Sequence, residues 1–112
     1  MKVKLAGIGL LLLSLPLIAE VKLSHAEAVK NALRKPSPEY SAIARQMRIQ
    51  GDVEVEVKIA ESGEVADVKV VNGNSMLSST VVKALKEWKF TPFTDNGKTT
   101  AAVAILRFSF KQ

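Results

Sequence analysis

The chain has no cysteine and a single histidine, His25. Without thiols there is no disulfide scaffold and no thiolate nucleophile, so an oxidising compartment is permitted but not exploited, and the fold must hold by side-chain packing alone. His25 falls in an N-terminal segment that reads as a leader. The remainder therefore has no imidazole for metal ligation and no Cys/His or Ser/His nucleophilic pair. Gly51, Gly63, Gly73 and Gly97 mark turns, and no phosphate-loop spacing occurs among them. Carboxylates are present, but Glu54 and Glu56 share a strand face with Lys58, with Asp67 across from them. A glycosidase-like pair needs two carboxyls facing a cleft about 5 to 9 Å apart, whereas these read as solvated charge on an open sheet. No catalytic residue, metal or cofactor is expected, and the chain does not read as an enzyme.

Long apolar runs are scarce as well, and the one that exists lies near the start. Lys2 and Lys4 precede an apolar stretch over residues 5–19, broken by Pro16, and Ser24-His25-Ala26 comes after it as a small-x-small site. These are the three parts of a secretory signal. The run is about 15 residues, short of the roughly 20 that a spanning helix needs. Residues 1–26 are thus expected to be a signal peptide cleaved after Ala26, with an uncleaved inner-membrane anchor as the alternative. Cleavage after Ala19 or after Ala28 is a further alternative. No cysteine comes after the apolar run, which excludes a lipid-anchored route. The expected location is the periplasm, with membrane association only if the leader is retained. About 86 residues then remain, enough for one small domain with a thin core. The net charge of +5 falls to about +3 without the leader, which makes a nucleic-acid partner a poor fit.

Residues 27–37 read as a short, partly helical linker without a strong cap, stopped by Lys35-Pro36-Ser37-Pro38. The domain proper is placed at residues 38–112. Tyr40, Ile43, Ala44, Met47 and Ile49 fall near helical spacing. Val53, Val55, Val57 and Ile59 then alternate with Glu54, Glu56 and Lys58, a strand with one buried face. Glu61-Ser62-Gly63-Glu64 turns the chain into a second strand over residues 65–71. Leu77, Val81, Leu85 and Trp88 mark a second helix, with Ser75 or Ser78 available as its cap. Trp88, Phe90 and Phe93 read as core anchors. Asp95-Asn96-Gly97-Lys98 is a turn before a last strand over residues 99–110.

Connectivity orders these strands. A hairpin, a returning helix and a last strand make a three-stranded antiparallel sheet in the order 2-1-3. The last strand is left on an edge, and residues 101–106 carry none of the charge, proline or bulge that blunts an edge. Ala104, Leu106, Phe108 and Phe110 face the core in this reading, with Val103 and Ile105 on the other face. Something is expected to cover that edge.

A family likeness is carried by Tyr40, Ala44-Arg45, Ile49-Gln50-Gly51, the alternating Val53 to Ile59, Gly63-x-Val65, Val70-x-Asn72-Gly73, Leu77, Ala84, Trp88-x-Phe90-x-Pro92-Phe93, Gly97 and Phe108. In order and spacing these residues resemble the C-terminal domain of the TonB family. The resemblance implies an α+β, two-layer fold with the three-stranded sheet and two helices on one face. It also implies capture of an extended segment, the TonB box of an outer-membrane transporter, by strand addition to the sheet edge. Carried onto this chain, the partner-binding strand is Val103, Ala104, Ile105, Leu106, Arg107 and Phe108, with Arg45 as a further partner contact. Two departures stand out. The long Pro-rich spacer of energy-transducing members is missing between leader and domain, and the usual Tyr-Pro is Tyr40-Ser41. A free-standing, exported binding module associated with transmembrane transport is therefore expected. The alternatives are a structural module that homodimerises through the same edge, or an accessory to a separate energy-transducing complex.

Overall fold

The computed structural model describes residues 20–112. The apolar stretch of the expected leader lies outside the described residues. From Val21 onward the chain is structured: strand β1 (Val21–Leu23), helix α1 (His25–Lys30) and strand β2 (Ala32–Arg34) precede the part matched to the family pattern. Residues 21–34, read from the sequence as leader and linker, are thus built into the fold.

Helix α1 begins where it does because Ser24 caps it. The Glu27 backbone N–H donates to Ser24 Oγ at 3.2 Å, and the Ser24 N–H donates to Glu27 Oε1 at 3.0 Å. This reciprocal capping box corrects the expectation of a capless lead-in. The helix sinks Ala28 completely into the core.

Helix α2 (Ala42–Gln46) is shorter than the apolar spacing implied. Ser41, in the place of the family's proline, accepts a hydrogen bond from the Ala44 N–H at 3.1 Å and caps the helix. The left-handed backbone of Arg48 (φ 56) ends it. Only Ala44 is buried on α2, while Ile43 and Met47 stay exposed. Tyr40 returns over the helix end and donates its hydroxyl to the Ile49 carbonyl at 2.5 Å.

Strands β3 (Gly51–Ile59) and β4 (Val65–Asn72) form the expected hairpin. Helix α3 (Ser75–Leu85) comes next, capped by Asn74 rather than by either serine, because the Asn74 side chain accepts from the Met76 N–H at 2.8 Å. Strand β5 (Lys89–Phe90) pairs with β2, strands β6 (Phe93–Asp95) and β7 (Lys98–Thr100) pair with each other, and β8 (Ala102–Phe110) closes the chain.

The main sheet has the order β1-β8-β3-β4. It is four-stranded and mixed rather than three-stranded and antiparallel, since β1 runs parallel to β8 while β8, β3 and β4 are antiparallel neighbours. The physical reason is the bare outer row of β8: its backbone groups need partners, and the residues after the apolar stretch supply them. On one face Val53, Val55, Val57, Ile59, Ala102, Ala104 and Leu106 are buried together with Leu77, Val81 and Leu85 of α3, Ala28 of α1 and Ala44 of α2. Trp88 and Phe90 are buried at the same core, with Phe93 packed against it. The Trp88 indole N–H donates to the Pro36 carbonyl at 2.9 Å, which ties the segment before α2 to the end of α3.

Candidate partner-binding edge

Strand β8 is the element on which the partner-binding expectation falls. Its antiparallel register with β3 runs unbroken from Gly51 opposite Phe110 to Ile59 opposite Ala102. The pleat then sorts its side chains. Ala102, Ala104, Leu106 and Phe110 are buried, and Phe108 is half-buried, with its ring edge-on to Trp88 at 6.1 Å. On the outer face Val103 is half-buried, Ile105 is exposed, and Arg107 bonds Glu54 of β3 at 3.0 Å. Beside that pair, Ser109 Oγ donates to the Asp52 carboxylate at 2.7 Å.

The lateral row of β8 is where structure and expectation part. Val103, Ala104, Ile105, Leu106, Arg107 and Phe108 belong to a strand with a neighbour on each side. The register of β1 is Val21 beside Ala102, Lys22 beside Val103 and Leu23 beside Ala104. The Val21 N–H donates to the Ala101 carbonyl at 3.1 Å. Two residues past β1, the Arg107 N–H donates to His25 Nδ1 at 3.2 Å. Backbone groups alternate in direction along a strand, so Ala101, Val103, Ile105 and Arg107 all present this side to the segment from Val21 to His25. The His25 ring also stands edge-on to Phe108 at 6.4 Å.

Beyond Arg107 the row meets a groove of about 260 Å³ between residues 37–40 and residues 108–111, lined by Pro38, Tyr40, Ser109 and Phe110 among others.

Val21 and Leu23 are half-buried against the core, while Lys22 is exposed. Such a short strand is held lightly. Half-burying two aliphatic side chains contributes about 2 kcal/mol, and each backbone hydrogen bond adds about 1 kcal/mol. Ordering three residues costs about 3 to 6 kcal/mol, so the net hold is small, on the order of 1 to 2 kcal/mol.

Arg45 lies on α2, away from this row, and is engaged locally. Its Nε donates to the Tyr40 carbonyl at 3.2 Å, and its guanidinium lies 4.8 Å from the centre of the Tyr40 ring. Its carbonyl accepts from the Gln112 side-chain amide. The structure thus does not bring Arg45 together with β8's lateral row.

Sequence reasoning overlooked β1 and His25 as parts of this edge. The signal was present in the alternation Val21-Lys22-Leu23 and in the Ser24-x-x-Glu27 spacing of a capping box. Among the described residues no group of His, Asp and Glu gathers as a metal-ligand set, and no helix is long and apolar enough to cross a membrane.

Helices laid on one face of a small sheet, with an added extended segment along its last long strand, define a two-layer α+β module. The family model for the Gram-negative bacterial TonB protein C-terminal matches residues 36–112, and the chain belongs to that family. It is 32% identical over 81 residues to Protein TonB of Pseudomonas aeruginosa, covering 70% of this chain and 24% of that protein. It is 36% identical over 62 residues to Protein tonB2 of the same organism, covering 54% and 23%. Protein TonB of Escherichia coli is 30% identical over 63 residues, covering 54% and 26%. This chain therefore spans about a quarter of the length of the curated relatives it matches. The solution structure of the Pseudomonas aeruginosa TonB C-terminal domain superimposes with a TM-score of 0.63 at 31% identity, covering 72% of this chain and 84% of that one.

Proposed function

We propose that this chain is an exported, TonB-like binding module of the periplasm that captures an extended segment of an outer-membrane transporter by adding it to the lateral row of β8. One observation carries the reading: that row accepts an added parallel strand, because β1 already lies on it. A sheet edge that takes an extended segment through backbone hydrogen bonds is the physical requirement of strand addition. The outer-face residues Val103, Ile105 and Arg107 and the core-face residues Ala104, Leu106 and Phe108 would then flank the captured segment. Arg45 has no part in the reading.

The leader in this proposal ends at Ala19, so that the exported chain begins at Glu20 and retains β1. Titration of the isotopically labelled exported chain with a transporter-derived extended peptide is the test. Amide shifts at Val103, Ile105 and Arg107 are expected to move first and together. Shifts confined to β4 or α3, or none at high micromolar peptide, would sink the proposal. Sedimentation of the same sample separates capture from self-association through this edge, since a monomer at every concentration is expected.

A further inference from the structure

The strand that fills the lateral row of β8 belongs to the same molecule, and its details say what the row accepts. β1 runs parallel to β8 and places its two aliphatic residues on the core face, Val21 beside Ala102 and Leu23 beside Ala104. Alanine is the smallest side chain that still covers the sheet, so at each of these two positions β8 leaves lateral room for a branched neighbour. Between them Lys22 lies beside Val103 on the solvent side. The row is thus shaped for an aliphatic-polar-aliphatic segment running parallel to β8.

The attachment of this segment is asymmetric. On its C-terminal side, Ser24 and Glu27 cap α1, and the completely buried Ala28 anchors that helix in the core. On its N-terminal side Val21 bonds the Ala101 carbonyl, and no helix or cap precedes it among the described residues. Release can begin at Val21 and run toward His25 without disturbing α1.

We propose that β1 is a built-in occupant of the partner site, an intramolecular strand that a partner segment of the same aliphatic-polar-aliphatic pattern must displace. This rests on the strand-capture reading and adds to it a competitor and a sequence preference. A tethered strand competes at an effective concentration in the millimolar range, so an external segment with equal contacts loses at least about tenfold in apparent affinity.

The test uses the exported chain and, as probe, a synthetic peptide with the sequence of residues 20–26, Glu-Val-Lys-Leu-Ser-His-Ala. Leu23→Pro removes an amide donor from β1 and should free the row. A second variant, Lys22→Cys with Val103→Cys, joins two residues that are Cα partners in a chain with no other thiol, and so locks the arm when oxidised. The Leu23→Pro chain is expected to bind the probe at least about tenfold more tightly than the unaltered chain. The oxidised pair should bind none, and reduction of the same protein should restore binding. A probe with aspartate at both aliphatic positions should lose its binding to Leu23→Pro.

Equal binding by unaltered and released chains, or by neither, overturns the proposal. So does equal binding by the oxidised and reduced pair, a comparison within one protein that stands even if Leu23→Pro fails to fold. The two readings fail differently. A transporter-derived peptide that binds locked and released chains alike removes the arm from the mechanism and leaves capture standing. A released chain that binds its own arm peptide but no transporter-derived one keeps the arm and removes the outer partner.

Discussion

Gly63 shows how closely single residues are fixed. Its φ of +92° lies in the left-handed region, and a Cβ there would sit 2.1 Å from the Phe90 carbonyl oxygen, the backbone of a completely buried aromatic. The neighbouring contact cannot give way, because the Phe90 N–H donates back to the Gly63 carbonyl at 2.8 Å. Gly63→Ala is expected to cost about 2 to 4 kcal/mol, read as a lower denaturant midpoint, since it adds backbone strain to a clash with backbone. Trp88→Ala should cost about 3 to 5 kcal/mol by leaving a cavity, and Trp88→Phe less, because only the indole bond to Pro36 and part of the ring volume are lost. Glu27 gives a pH signature. Its pKa is lowered from its ordinary 4.5, first by the Ser24 backbone N–H and then by the Ser24 hydroxyl. A carboxylate held below its unfolded value lends stability that is present above about pH 4.5 and lost as pH falls through the lower folded value. Amide protection at the start of α1, taken relative to the intrinsic exchange rate, should therefore fall in that acid window, and Glu27→Gln, which keeps an acceptor but cannot titrate, should remove that fall.

At the level of elements, what was legible in the sequence is what local chemistry dictates. The valines of β3 alternate without interruption, and Leu77, Val81 and Leu85 hold one face of α3, so strand, helix and core come from periodicity alone. The apolar residues of α2 misled for a reason the structure supplies: Ile43 and Met47 keep helical spacing but face solvent, since Arg48 ends the helix before its stripe can reach the core. The edge was harder. Ser24-His25-Ala26 satisfies the cleavage pattern and Ser24-x-x-Glu27 satisfies a helix cap, two readings of the same letters that only tertiary contacts can separate. The alternation Val21-Lys22-Leu23 is visible but too short to fix a register by itself, and its partner lies about eighty positions away in the chain, beyond any local pattern. Ser41 offers a check at this scale. Ser41→Ala should lower stability by about 0.5 to 2 kcal/mol through loss of the α2 cap, and the Ile49 amide, which bonds back to the Ala44 carbonyl at 2.9 Å, should exchange faster in that variant.

For the whole molecule, the proposed export makes the position of its cut decisive. A cut after Ala19 leaves β1, the Ser24 cap and His25 in place, whereas a cut after Ala26 removes all three and strips α1 of its N-terminal support. Mass spectrometry of the exported chain is expected to give Glu20 as its first residue, and a first residue of Glu27 would contradict it. The bare row of β8 is also an aggregation hazard: residues 101–106 are all apolar, uncharged and free of proline, the composition by which exposed edges join chain to chain. β1 therefore acts as a guard as well as an occupant. A chain beginning at Glu27 should sediment as growing, concentration-dependent assemblies where the one beginning at Glu20 stays monomeric, so the few residues of β1 would separate a single folded module from the seed of a polymer.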